Sequence, residues 1–383
     1  MTTITRTHIA ARRSIFPFDV ILVAATLLVS AIGVIMVYTA TRGDLLAQGE
    51  DPKTFLKKQG LFVVLGVITM VVVALIDYRR WESVANILYW LIVLALLGVF
   101  VVGSSAQGAA RWFSVGPLQL QPSEFAVLAL ILAIASYCAR RDDVGLAWKD
   151  VFRLLIMAGI PILLVLLQPD LGTAMIMVIV LLVMLAVAGL PIRILVMLLI
   201  GTVLVVLFAV ESGLLHHYQI ARVTAFLNPG STSNNPYVKS AIYNLNEAKS
   251  AIGSGGVFGS GIGHGAQTNL GYVPEQQTDF IFTAVGEQLG FVGSVGVLAL
   301  LGVIAWRVLH AAVVARDTFG RLICTGLFAF IAFSVFQNAG MTMGIMPITG
   351  IPLPFVSYGG TAVLVFFGAV GFALSVGSHR RFR

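Results

Sequence analysis

Of 383 residues, 58% are hydrophobic and only 11% charged, and the mean hydropathy of +0.96 lies far outside that of water-soluble globular domains. A formal net charge of +7 would suit a nucleic-acid binder, but the basic residues are scattered between apolar segments rather than gathered on one face, which argues against that class. Cys138 and Cys324 fall near predicted helix ends on the reducing side of the membrane, which argues against a disulfide, and neither has a His or Cys neighbour at metal-ligand spacing.

Taken in chain order, residues 1–16 form a basic leader, and the first apolar segment, 17–38, is too long for a signal peptide and lacks an A-x-A cleavage site, so it reads as a retained helix. Further segments follow at 59–77, 84–103, 122–139, 152–168, 170–189, 191–211, 279–305, 321–346 and 354–376. Each of these about ten segments can cross a hydrocarbon core of about 30 Å. Backbone polar groups find no water in lipid, so the spans must be helices. The expected fold is an all-α polytopic membrane protein, one integral membrane domain over 1–383.

With the N-terminus placed in the cytoplasm, 16 of the 24 Lys and Arg residues fall on the inner side, including Arg79, Arg80, Arg140, Arg141, Lys149, Arg153 and the tail 377–383. Both termini are therefore expected to be cytoplasmic. Two outer connections remain: 104–121, with Arg111, Trp112 and Phe113, and the loop 212–278 between spans seven and eight. The latter exceeds ordinary loop lengths several-fold. It alternates an aromatic and aliphatic stretch at 218–227, a Ser/Asn/Pro break at 228–236, a helical stretch at 237–252 and a glycine-rich run at 253–265, which reads as a semi-ordered cap of short amphipathic pieces. The glycine run matches a dinucleotide fingerprint only nominally, since no strand precedes it. Its remaining readings are a close backbone approach to a phosphate and plain loop flexibility.

Three inward-running spans begin on acids: Glu124 in Gln-Pro-Ser-Glu, Asp170 in Gln-Pro-Asp and Asp279 in Gln-Gln-Thr-Asp. Singly, each fits an acid favoured by the helix dipole behind an N-terminal turn. Jointly, they place carboxylates and positive helix ends in one outer layer, where an anionic diphosphate, a divalent cation or a hydroxyl proton could be handled. Glu275, Asp279, Thr283 and Glu287 recur every four residues, a polar stripe if one helix carries them all. Gly286 and Gly290 on the same stretch make a small-xxx-small pattern for close helix packing. Arg111 and Arg222 are the outer arginines without an adjacent acid, suited to gripping a diphosphate, with interfacial anchoring as the other reading of Arg111. His216, His217 and His264 show no metal spacing. The last outer turn, 346–357, is stiffened by three prolines and fits a groove wall or a tight turn.

Gly-Ala-Ala-Arg-Trp at 108–112, Gln-Pro-Ser-Glu at 121–124, Gln-Pro-Asp-Leu-Gly-Thr-Ala at 168–174, Ala-Ile-Gly-Ser-Gly-Gly at 251–256, Pro-Glu-Gln-Gln-Thr-Asp-Phe-Ile-Phe at 274–282 and Pro-Leu-Pro-Phe-Val-Ser-Tyr-Gly-Gly at 352–360 resemble, in order, the motifs of the SEDS family (shape, elongation, division and sporulation). Tyr-Gln-x-x-Arg-Val at 218–223 and Pro-Ile-Thr-Gly-Ile-Pro at 347–352 are more similar to its RodA elongation branch than to its FtsW division branch. The resemblance implies a peptidoglycan glycosyltransferase of the bacterial cytoplasmic membrane that polymerises lipid II into β-1,4 glycan at the outer face and releases undecaprenyl diphosphate. It places the general base on Asp279 and supporting acids on Glu124, Asp170, Glu275 and Glu247. Substrate contacts are expected from Arg111, Arg222, Lys249, Ser254, Gly255, Gly256, Thr278, Ser357 and Tyr358. A divalent cation, Mg²⁺ or Mn²⁺, is a candidate cofactor, with Asp279 and Glu247 as candidate ligands. The implied partners are a class B penicillin-binding protein and other elongation-complex proteins. Two departures stand out: Val127 where the family usually has Lys, and Glu247 where it commonly has Gln. A lipid-linked precursor flippase or other transporter, a silent scaffold for the penicillin-binding protein, and a division-type member of the family are the alternatives.

Overall fold

The computed structural model describes residues 18–106, 109–115, 118–141, 146–211 and 217–378; the leader 1–16 and the last residues of the basic tail lie outside them. All ten predicted spans are helical: α1 (Val20–Ala47), α2 (Thr54–Leu75), α3 (Tyr78–Val102), α4 (Pro122–Ala139), α5 (Trp148–Leu167), α6 (Leu171–Val187), α7 (Ile192–Glu211), α11 (Ile281–Val314), α12 (Thr318–Met343) and α13 (Gly360–Ser378). Eight are long and apolar enough to cross a membrane, and α6 with the apolar part of α7 are shorter. Between α7 and α11 lie α8 (His217–Leu227), α9 (Pro236–Ser254) and the short α10 (Ala266–Asn269). The chain is an integral membrane protein by this set of apolar helices.

The bundle has a packed centre and a lipid-compatible rim. α4, α12 and α13 are buried along most of their length, whereas α7 turns Ile192, Met197, Leu204 and Phe208 outward. Lipid tails are as apolar as leucine, so close van der Waals packing rather than apolar burial must hold such helices together. α13 lies on α2 where Gly371 has no room for a side chain: a Cβ there would stand 2.7 Å from the Met70 carbonyl oxygen. Ends are fixed by caps and ion pairs. Asp19 caps α1 through the Leu22 N–H and pairs with Arg307 of α11, while Asp317 caps α12 through the Gly320 N–H and accepts from Tyr78.

Two features differ from the sequence expectation. The first outer connection is not a simple loop. Residues β1 (Ser104–Ala106), β2 (Ala109–Val115) and β3 (Leu118–Leu120) form a small antiparallel sheet in the order β1-β2-β3, with Phe113 opposite Leu120. Trp112, Phe113 and Val115 are residue types that favour strands over helices.

The second is a break in α11. Gly290 adopts φ 67° and ψ −165°, and the four-residue stripe does not ride on one helix, because Glu275 and Asp279 precede Ile281, its first residue. Non-helical backbone at membrane depth persists only where protein satisfies its polar groups. The glycine-rich run does so: Ser260 and Gly261 donate to the carbonyls of Glu287 and Gln288 at 2.9 and 3.1 Å, while Phe291 and Val292 donate to those of Gly256 and Val257 at 2.9 and 3.1 Å. Gly286 and Gly290 therefore receive Ile252 and the backbone around Gly259, not another membrane helix.

Candidate functional site

At the end of the bundle where α4, α6 and α11 begin, a cavity of about 580 Å³ opens between the helix ends and the cap. Glu124, Asp170, Glu275, Thr278, Asp279, Arg222 and Tyr358 all line it, together with Lys58, Trp112 and Gln121, which are not among the expected site residues. Its aromatic lining includes Phe330 and Phe366, stacked with centroids 4.7 Å apart.

The two acids at the α4 and α6 starts are unlike each other. Asp170 is the N-cap of α6: Oδ1 accepts from the Thr173 N–H at 3.1 Å, and Oδ2 accepts from Thr173 Oγ1, Ser123 Oγ and Gln121 Nε2 at 2.8, 3.1 and 3.1 Å. A carboxylate so saturated is a joint between two helix starts. Glu124, one turn into α4, keeps Oε2 buried without a hydrogen-bond partner. The expected lysine would have stood on the same face of α4. Val127 occupies that place and lines the same cavity, so Glu124 has no such cation beside it.

Asp279 is half-buried and its loop is pinned at three consecutive carbonyls. Tyr358 N–H donates to Gln277 O at 2.8 Å, Ser357 Oγ to Thr278 O at 2.6 Å and Asn338 Nδ2 to Asp279 O at 2.8 Å. Glu275 begins this loop at φ 51°, a left-handed conformation that a non-glycine residue holds only when its surroundings enforce it. Across from it, Gly350 has φ +79°, and a Cβ there would stand 3.1 Å from Asp279 Oδ2 and 3.7 Å from Arg222 Nη1. The carboxylate and the guanidinium thus meet over one glycine. Arg222 also lies over the Tyr218 ring at 5.6 Å, and Tyr218 donates to Pro169 O at 2.7 Å, which ties the cap to the start of α6. Tyr358 packs edge-on to Phe55, and burial raises its phenol pKa, so it stays a neutral hydroxyl.

Other expected site residues lie elsewhere. Ser357 works from behind the wall, as the donor to Thr278 O. Gly255 packs so tightly on Gly286 and Glu287 that no side chain fits, Ser254 donates to Ala251 O, and Gly256 accepts from Phe291: the Ala-Ile-Gly-Ser-Gly-Gly segment seals the break in α11 and does not line the cavity. The nearby N–H groups of Ser260, Gly261 and Gly263 are likewise committed, the last to Gln288 Oε1 at 2.9 Å, so they form no phosphate cradle. Lys249 is exposed beside Gly344, the left-handed cap of α12, where a cation complements the helix C-terminus; a Cβ on Gly344 would meet its Nζ at 2.6 Å. Glu247 sits on α9 outside the cavity lining. The side chain of Arg111 lies outside the described residues. Glu287 turns away from the site: Oε1 accepts from Gln267 N at 2.7 Å, and Oε2 from Thr268 N and Oγ1 at 2.9 and 2.6 Å, capping α10.

Asn338 was missed. It stands in the apolar α12, fully buried, with Nδ2 bridging Asp279 O and Ile351 O at 2.8 and 2.7 Å. An uncharged amide inside a membrane helix is itself a signal, because lipid offers it no partner.

This arrangement presents a carboxylate, carried on a loop whose backbone is pinned, to an open cavity that is lined by cations and built at helix starts. It is suited to taking a proton from a hydroxyl while an anionic group leaves nearby. The chain belongs to the FtsW/RodA/SpoVE family of cell cycle proteins, whose model matches residues 19–382, and this is the SEDS family that its motifs resemble. It is 38% identical over 339 residues to the peptidoglycan glycosyltransferase MrdB of Escherichia coli strain K12, covering 88% of each chain. Its fold matches a chain of a solved peptidoglycan synthase complex that coordinates polymerization and crosslinking, with TM-score 0.79 at 30% identity over 96% of this chain and 99% of that one. It also matches the rod shape determining protein RodA of Thermus thermophilus, with TM-score 0.70 at 29% identity over 96% and 98% of the two chains.

Proposed function

We propose that this chain is a peptidoglycan glycosyltransferase of the elongation type, polymerising lipid II into β-1,4 glycan at the outer face of the cytoplasmic membrane. The observation that carries the reading is the Asp279 carboxylate, on a loop pinned through its backbone carbonyls, facing Arg222 across Gly350 inside the cavity. Asp279 removes the proton from the 4-hydroxyl of the acceptor's N-acetylglucosamine as that oxygen attacks the anomeric carbon of the donor's N-acetylmuramic acid. The bond to the diphosphate breaks with its electron pair on the leaving oxygen, inverting the anomeric centre. Arg222 and Lys58 attract the diphosphate, and Asp170 joins the two helix starts behind it.

In this reading the cavity end faces outward and the arginine-rich opposite end faces the cytoplasm. A class B penicillin-binding protein is the proposed partner. Among the described residues no group of three or more His, Cys, Asp or Glu could hold a metal ion. With Glu247 off the cavity, the site builds no resident cage, so Mg²⁺ or Mn²⁺ would have to arrive with the substrate, whose phosphates supply most of its oxygens.

The test is polymer formation on a glycan gel by the purified protein, alone and with its penicillin-binding partner, given lipid II and a divalent cation. Polymer from wild type but not from folded Asp279→Ala supports the reading. No polymer from the partnered wild type, where a control polymerase works, favours the transporter or the scaffold.

A further inference from the structure

A second cavity, of about 510 Å³, lies at the opposite end of the bundle, between the starts of α3 and α5 and the end of α4. Arg140, Arg141, Lys149 and Arg153 line it, against one acid, Asp150. Asp150 is buried and fully used: it pairs with Arg141 and accepts from the Tyr137 hydroxyl at 2.9 Å and the Ala147 N–H at 3.0 Å. Arg140 is spent on α3, donating to the Glu82 carbonyl at 2.9 Å. Lys149 and Arg153 have no carboxylate partner among the described residues and stand one turn apart, so both point to one side of α5. Beside them on α5, Trp148 and Phe152 are 66% and 65% exposed, apolar groups at the level where acyl chains meet headgroups.

We propose that this cavity binds the phosphodiester headgroup of an anionic membrane phospholipid in the leaflet opposite the catalytic cavity. Arg140 and Arg141, locked by Glu82 and Asp150, form fixed walls; Lys149 and Arg153 supply charge that no carboxylate among the described residues pairs with; Trp148 and Phe152 lie along the lipid's chains. A fully soluble anion would gain nothing from the two exposed aromatics, which selects a lipid over free phosphate. The site shares no residue with the Asp279 cavity, so its test is independent of the catalytic reading.

The full-length protein is purified in detergent, and its melting temperature and native mass spectrum are recorded with phosphatidylglycerol, with phosphatidylcholine and with inorganic phosphate. Phosphatidylglycerol is expected to raise the melting temperature and remain bound, while the other two do neither. Lys149→Gln/Arg153→Gln is expected to bind phosphatidylglycerol about tenfold or more weakly, from the loss of two cations near a charged surface. The charge-preserving Lys149→Arg/Arg153→Lys is expected to retain binding, which keeps the test decisive if the neutral pair folds poorly. Equal binding of phosphatidylglycerol by wild type and a folded neutral variant overturns the proposal. So does equal stabilisation by inorganic phosphate, or no stabilisation of the wild type by phosphatidylglycerol.

Discussion

Asn338 of α12 and Asp279, in the loop that leads into α11, are joined by one side-chain amide: Asn338 Nδ2 holds the Asp279 carbonyl at 2.8 Å and the Ile351 carbonyl at 2.7 Å. A single buried group thereby fixes the distance between the Asp279 loop and the wall opposite it. Replacing it with Leu is expected to keep the helices but let the loop shift, and a misplacement of about 1 Å costs roughly 100-fold in rate. Steady-state kinetics on Asn338→Leu should show kcat falling by that order with little change in KM. Wild-type kcat in a folded variant would mean the bridge is only packing.

Gly350 separates Asp279 from Arg222 and holds φ +79°. Gly350→Ala adds a methyl 3.1 Å from Asp279 Oδ2 and strains the backbone. Polymerisation should drop at least tenfold while the melting temperature falls modestly, a cost of about 1–2 kcal/mol. A parallel measurement of rate and melting temperature separates the two effects.

The glycine-rich run gives a contrast that distinguishes packing from phosphate binding. At Gly253 a Cβ meets nothing within 4 Å, whereas at Gly255 it collides with the backbone of Gly286 and Glu287. Gly253→Ala should leave stability unchanged, and Gly255→Ala should destabilise by about 1–3 kcal/mol, the range for overpacking, in thermal melts without substrate. Unchanged melts for both variants, with equal losses of lipid II binding, would restore the phosphate reading.

Val127 and Glu124 make a double-mutant test. Val127→Lys places an ammonium one turn from the unpartnered Glu124 Oε2 and should be tolerated in the wild-type background. With Glu124→Ala the same lysine is a lone buried cation, and stability should fall by about 3 kcal/mol or more. Additive effects in the cycle would show that the two positions do not interact.

Much of this architecture was readable from the residues. Ten spans follow from hydropathy because lipid permits little but helices, and α8 and α9 follow from the Asn/Ser/Pro break between them. Glu124, Asp170 and Asp279 were legible as helix-start acids, but not their different states. Asp170's saturation depends on Gln121 and Ser123, some 47 to 49 residues away in sequence. The break at Gly290 was hidden because Gly286 and Gly290 read the same whether a helix or a loop packs on them. Lys249, Ser254 and Gly255 lie in the right loop with the wrong orientation, which a motif does not encode. The small sheet at 104–120 was missed because a short ribbon leaves little periodicity between long apolar spans.

The most direct test of the central claim is the single-turnover rate of lipid II polymerisation by Asp279→Asn, with lipid II binding measured on the same sample. The substitution keeps the size of the side chain and removes its negative charge together with its capacity to take a proton. The expected result is binding within about threefold of wild type and a rate reduced by about 10²–10⁴, the range attributed to general-base catalysis. A variant that binds and polymerises at the wild-type rate would contradict the assignment of Asp279 as the base.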